Sequence, residues 1–294
     1  MIASDVPPLF DRALVRRRLA RARAAGYADF LLARVLDDLD ERLGAILRTF
    51  PLALDLGAPA PGLGARLLAG GRAERVVRLS ALPEPGAVVG EPEVLPFAGG
   101  FDLAVSLLAL QGANDLPGAL VQARRALKPD GLFVACLLGG RTLIELRQAF
   151  AEAEAAVEGG ASPRVAPLGD VRDLGALLQR AGFALPVVDS DALTVRYADP
   201  FGLMRDLRAM GLTNALDQRS RRPLRRATLV AAAETYARRF ADPDGRVRAT
   251  FDLIWLSGWA PAPGQQKPLR PGSATARLAD ALGTVEQPLA RDDP

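Results

Sequence analysis

Histidine is absent from this 294-residue chain. That excludes imidazole bases and most transition-metal sites. Any proton transfer must use a carboxylate, a tyrosine, a lysine or a group on the substrate. There is one cysteine, Cys136, inside the apolar run Leu132–Leu138. It has no internal disulfide partner, and a packing role is expected. No run of about 18 apolar residues occurs, so no membrane-crossing helix is expected. The first residues lack the apolar core of a signal peptide, and a cytoplasmic location is expected. Net charge is small, at +3, but the basic residues are clustered. No internal repeat is visible. What is present is ample apolar material, 49% of residues, enough for one large domain or one domain with an appendage. Arginine dominates over lysine, and with abundant Ala, Gly and Pro the composition is that of a GC-rich genome.

The chain is organised around Leu52–Gly64, L-A-L-D-L-G-A-P-A-P-G-L-G. Leu52, Leu54 and Leu56 alternate with Ala53 and Asp55, which predicts a strand. A glycine-bearing turn and a helix start near Gly64 follow. Strand, glycine turn and helix present backbone N–H groups to a ligand at the carboxyl end of a strand. Pro59 and Pro61 occupy the same turn. Proline fixes φ and has no N–H, whereas glycine allows positive φ and close approach of a ligand.

Before this stretch, two helices are predicted, Phe10–Arg23 and Asp29–Leu47, ended by Pro51. The first carries Arg12, Arg16, Arg17, Arg18, Arg21 and Arg23 opposite a narrow stripe of Leu14, Val15 and Leu19. An acidic partner, a membrane surface, a nucleic acid or plain solvent could face that charge. The absence of interleaved aromatic residues weighs against nucleic acid. Beyond the stretch, strands are expected at Arg75–Leu79, Ala87–Val89, Phe101–Leu110, Leu132–Leu138, Leu185–Val188, Ala192–Tyr197 and Val247–Trp259. Helices are expected at Ala65–Ala69, from Asn114 to Leu127, and at Thr142–Val157, Val171–Arg180, Phe201–Met210 and Thr228–Phe240. Lys128–Gly131 reads as a tight turn. Gly139–Thr142 lacks a phosphate-loop lysine and reads as a loop at the mouth of a site. Ser80–Gly86 is too short for the crossover that usually joins parallel strands, so no helix is expected there. A second basic cluster comprises Arg219, Arg221, Arg222, Arg225 and Arg226. The tail from Pro261 is expected to be mobile.

These residues resemble class I S-adenosylmethionine-dependent methyltransferases. Asp55 followed by Gly57 matches the opening of the cofactor loop, normally acidic-x-Gly-x-Gly-x-Gly. The segments L-P-F-A-G-G-F-D-L-A-V-S from Leu95, N-D-L-P-G-A-L from Asn114, L-K-P-D-G-L-F from Leu127, G-G-R-T-L-I-E-L-R from Gly139, G-L-T-N near Gly211 and P-G-S-A from Pro271 resemble methyltransferase-domain proteins that assist assembly of respiratory complex I. Phe10-Asp11-Arg12 near the start matches them as well. A more distant likeness is to the malonyl-carrier-protein methyltransferase of biotin synthesis. The resemblance implies a three-layer, Rossmann-like α/β fold with a mainly parallel sheet. It adds an N-terminal helical cap (1–50), a catalytic-type domain with helical insertions after Leu138 (51–260) and a tail (261–294). It implies S-adenosylmethionine as cofactor, against Asp55, Gly57, Ala58, Ser80, Glu91 and Leu108, with Ser80 where an acid normally receives the ribose and Glu91 where an acid faces the adenine amino group. It identifies no catalytic residue and no metal. It implies a protein substrate or respiratory-complex subunit as partner, peripheral membrane contact as a further option, and arginine hydroxylation as the chemistry of the assembly-type relatives.

The departures fall on the cofactor side: Pro59 and Pro61 for glycines, Ser80 for the ribose acid, the missing crossover helix, and Gln111-Gly112 where the family favours His-Trp. From these, weak or absent cofactor binding is expected. Two functions follow as alternatives, an S-adenosylmethionine-dependent enzyme or a non-catalytic assembly protein that uses its basic clusters for contact.

Overall fold

The computed structural model describes residues 7–266, 273 and 277–285. The chain divides into two compact units at Pro261/Ala262. The first unit is an α/β structure on one seven-stranded sheet, ordered β3-β2-β1-β4-β5-β7-β6. The strands are β1 (Phe50–Leu56), β2 (Ala73–Ser80), β3 (Ala87–Val89), β4 (Phe101–Leu107), β5 (Leu127–Leu138), β6 (Ala184–Tyr197) and β7 (Val247–Trp259). β1 to β5 pair in parallel, and β7 pairs antiparallel with both β5 and β6. Helices α1 (Arg12–Ala24), α2 (Phe30–Gly44) and α3 (Leu63–Ala69) flank the first strands; α4 (Leu116–Ala126) joins β4 to β5. Then come α5 (Ile144–Glu158), α6 (Val171–Arg180), α7 (Pro200–Ala209) and α8 (Arg226–Phe240).

The alternation in β1 sets the layers. Ala53 belongs to a core shared with α2, α3, α5, α7 and α8. Leu54 and Leu56 face the opposite core, shared with α4 and α6. Two apolar faces on one sheet require helices on both sides. The chain runs outward from β1 through β2 to β3, and the other way from β4 to β5. The carboxyl ends of β1 and β4 therefore form the switch point where open α/β sheets bind ligands.

Several boundaries differ from expectation for identifiable reasons. Pro51 does not end a helix but lies within β1. It precedes Ala53, where pairing with β4 begins, so its missing N–H breaks no ladder bond on that side. α2 stops at Gly44, leaving Leu47 fully exposed at 103%. Lys128–Gly131 is absorbed into β5, with Asp130 at φ 62° beside a register shift against β4. The two strands expected around Asp189-Ser190-Asp191 are one continuous β6. An edge strand tolerates such polar residues, and Arg42 and Arg34 of α2 pair with Asp189 and Asp191. The absence of a helix at residues 81–86 is as expected. β3 begins opposite Arg78, close behind the end of β2, so the return path is short. In the second unit, the tail expected to be mobile forms a short helix, α9 (Leu278–Leu282). Three residues of the P-G-S-A segment, at 271, 272 and 274, lie outside the described residues.

Candidate cofactor site

A cavity of about 420 Å³ opens at the switch point, within the usual range for small-molecule sites. Gly57 and Pro59 line it from the β1 loop, Ala81 from the end of β2, Pro92 from the segment after β3, and Leu108 and Ala109 from the end of β4. The rest of its wall is largely apolar and comes from α1, α5, α7 and residues 211–216. Thr142 and Leu143 also line it, so the Gly139–Thr142 loop stands at the site. Gly57 has φ +83°, which glycine alone adopts without penalty. Leu108 and Leu143 adopt φ 52° and 56°. Left-handed backbone at non-glycine residues is strained, by about 1–3 kcal/mol each, and concentrates at ligand sites.

The electrostatics of the β1 loop are set by an arginine that sequence reasoning passed over. Parallel register puts Arg78 of β2 beside Asp55 of β1. Asp55 is 1% exposed. One of its oxygens accepts from the Ala58 N–H at 3.1 Å, and the other is ion-paired with the Arg78 guanidinium. Arg78 also pairs with Glu84 and donates to the Ala58 carbonyl at 2.9 Å. Arg23 of α1 completes the set. It donates to the Pro59 carbonyl at 2.6 Å and pairs with Glu84 at 2.8 Å. Burial pushes the Asp55 carboxyl up, against the pull of Arg78 and the Ala58 N–H. Burial also works against the Arg78 charge, but Asp55 and Glu84 outweigh it and hold its pKa above the ordinary value. Glu84 is held below the usual carboxylate range: burial opposes this, and the bond from Arg78 prevails.

The remaining expected contacts are also engaged. Ser80 is fully buried, and its hydroxyl accepts from the Leu82 N–H at 3.2 Å. Glu91 is ion-paired with both Arg12 and Arg16. Gln111 lines the cavity and donates to the Leu108 carbonyl at 2.7 Å, while its Oε1 is buried without a partner among the described residues. Thus Asp55, Gly57, Ala58, Ser80, Glu91 and Leu108 are brought to one end of the sheet, but Ser80 and both carboxylates face in-chain donors. S-adenosylmethionine presents a carboxylate, which donors such as backbone N–H groups or arginine satisfy, and a sulfonium, an ammonium group, ribose hydroxyls and an adenine amino group, which need acceptors or negative charge. Arg78 and Arg23 already hold Asp55, Glu84 and the loop carbonyls. One neutral amide oxygen does not replace them. The acceptors present do not fit the cationic and donor groups of the cofactor.

Half of the first basic cluster is explained by this network. Arg12, Arg16 and Arg23 dock α1 onto the loops after β1, β3 and β4. The signal available in sequence was the acid-rich Glu84, Glu91 and Glu93 on the segment those arginines meet.

A second buried carboxylate braces the far wall. Glu154 of α5 accepts from the Ser162 N–H at 2.6 Å and hydroxyl at 2.8 Å, and pairs with Arg164, which lines the cavity. Burial opposes its ionisation, but these bonds hold its pKa below the ordinary 4.5. Its stabilising effect is therefore present above the unfolded-state value and lost as pH falls through the lower folded value. The expected result is that Glu154→Gln lowers the melting temperature at neutral pH, and that the gap to wild type closes below pH 4.5. Thermal melts across pH check this; a gap constant with pH would contradict it.

Comparison with known proteins places the chain. The methyltransferase-domain family pattern matches residues 57–135. The arginine-hydroxylase NDUFAF5 of Danio rerio, a mitochondrial protein, is 38% identical over 291 residues, covering 92% of this chain and 89% of the relative. The malonyl-[acyl-carrier protein] O-methyltransferase of Halorhodospira halophila is 36% identical over 266 residues, covering 85% and 88%. Among solved structures, the candidate methyltransferase BH2331 of Bacillus halodurans superposes with a TM-score of 0.51 at 16% identity, covering 77% of this chain and 99% of that one; this likeness shows the fold. From sheet order, switch-point cavity and identity across nearly the whole length, the chain belongs to the methyltransferase-fold family that includes the arginine-hydroxylase NDUFAF5.

Proposed function

We propose that this protein acts on a protein partner, as a member of the arginine-modifying branch of its family, and that it holds S-adenosylmethionine weakly, if at all. The relatives are named as enzymes and match over most of both chains, which favours this reading over a purely non-catalytic interaction protein. The resemblance to complex I assembly proteins supports a respiratory-complex subunit as the partner class. Among the described residues, no helix is long and apolar enough to cross a membrane and no acid or cysteine cluster is set to hold a metal.

The observation carrying the cofactor part is the Asp55–Arg78–Glu84–Arg23 network. A ligand that binds only the native state raises its stability by RT ln(1 + [L]/Kd). With a Kd of about 1 mM or weaker, S-adenosylmethionine at the same concentration contributes only about 0.4 kcal/mol. The melting temperature is therefore expected to move by little more than a degree. A shift of many degrees would overturn the reading.

A further inference from the structure

The arginines of α1 that hold neither the β1 loop nor Glu91, namely Arg17, Arg18 and Arg21, lie with the second basic cluster near the mouth of the cavity. Arg18 donates to the Thr213 carbonyl at 2.6 Å. The backbone of Gly211 packs so closely on α1 that a Cβ there would lie 3.1 Å from the Leu19 Cα. Phe10 and Leu216 form a β-bridge, and Arg219 pairs with Asp11 at 3.1 Å. Val15 and Leu19 of α1, Arg208 of α7, Leu216 and Leu224 all line the cavity. Arg17 and Arg21 on α1, Arg208 on α7, and Arg222, Arg225 and Arg226 beside Leu224 are exposed, and none is ion-paired among the described residues. Among the described residues, the carboxylates paired at this rim are Asp11 and Asp217. Burial, and then the like charge of Arg219 and Arg21, depress the Arg18 pKa. Clustered like charge raises folded-state energy unless a partner neutralises it.

We propose that this rim is the docking surface for the protein partner: an acidic segment carrying one bulky apolar side chain that seats in the cavity mouth. The proposal rests on the protein-partner reading above. Charge complementarity selects the acidic flank, and the apolar wall selects the anchor. A membrane is disfavoured because Leu14, Val15 and Leu19 of α1 turn inward and leave no apolar face for lipid. A nucleic acid would use exposed aromatic platforms, and Phe10, the aromatic residue of these rim segments, is buried.

The test is an array of short random-sequence peptides in three charge classes, acidic, neutral and basic, each with a central Phe, Leu or Ser, probed with the full chain. The acidic class with Phe or Leu should bind most. Binding should fall about tenfold or more when Arg17, Arg21, Arg222 and Arg225 are all changed to Glu, and similarly with rising salt on the wild-type chain. Leu224→Ser should reduce the preference for Phe and Leu over Ser. The proposal is overturned by binding that ignores charge, by preference for basic peptides, by indifference to the central residue, or by tighter binding to phosphatidylglycerol vesicles than to any peptide class. The salt series keeps the test valid if the four-site variant does not fold. Cofactor titration reads the opposite wall of the cavity, so the two readings fail separately.

Discussion

Replacing Arg78 by alanine is expected to destabilise the fold by about 3–5 kcal/mol, the usual effect of removing one partner from a buried ion pair. At roughly 2–4 °C per kcal/mol for a domain of this size, the melting temperature should fall by about 6–20 °C. The reason is local. Asp55 is 1% exposed, Arg78 14% by side chain and Glu84 15%, so solvent cannot take over the role of the guanidinium. Its removal leaves two carboxylates and the Ala58 carbonyl without their shared donor. Adding Asp55→Asn should return part of the loss, because the stranded charge is then gone. Denaturant or thermal unfolding of the two single variants and the double variant measures the coupling. Additive effects would mean that Arg78 and Asp55 act independently and that the network is not a unit.

The second large effect concerns recovery of cofactor affinity. A hydrogen bond to a charged partner is worth about 1.5–3 kcal/mol. Two or three missing bonds therefore correspond to roughly 10²–10⁶-fold in affinity. Restoring family residues at Pro59, Pro61 and Ser80 as Gly, Gly and Asp is expected to recover little of this. An aspartate at position 80 lies two residues from Arg78 on the same face of β2, and Arg78 would pair with it as it does with Asp55. The acceptor would be present but already engaged. Adding Arg78→Ile to those three changes should release the new carboxylate and improve affinity by at least about tenfold over the three-site variant. Calorimetric titration of both variants compares them directly. Equal affinities would show that Arg78 is not what blocks the site.

Much of this architecture is legible in the sequence, because strand alternation and glycine or proline punctuation are local signals. The β1 alternation, the Asp115 cap on Gly118 N–H at 2.8 Å and the β7 boundaries can be read from neighbouring residues. Arg78 cannot. Between Val77 and Leu79 it reads as a solvated strand residue, and only the parallel register, fixed by the whole β1–α3–β2 unit, brings it to Asp55. The same holds for the basic helix. Charge spacing along α1 does not separate Arg12, Arg16 and Arg23, which bind loops far along the chain, from Arg17 and Arg21, which face outward. Pro51 misled for a related reason: whether a strand tolerates proline depends on where its neighbour begins to pair.

The weak cofactor binding proposed for this chain hangs on Arg78 and Arg23 having taken the acceptors a cofactor would need. Isothermal titration of the wild-type chain with S-adenosylmethionine tests it most directly. No saturable heat is expected below about 1 mM; a one-to-one isotherm with a low-micromolar Kd would mean that those acceptors remain open to the cofactor.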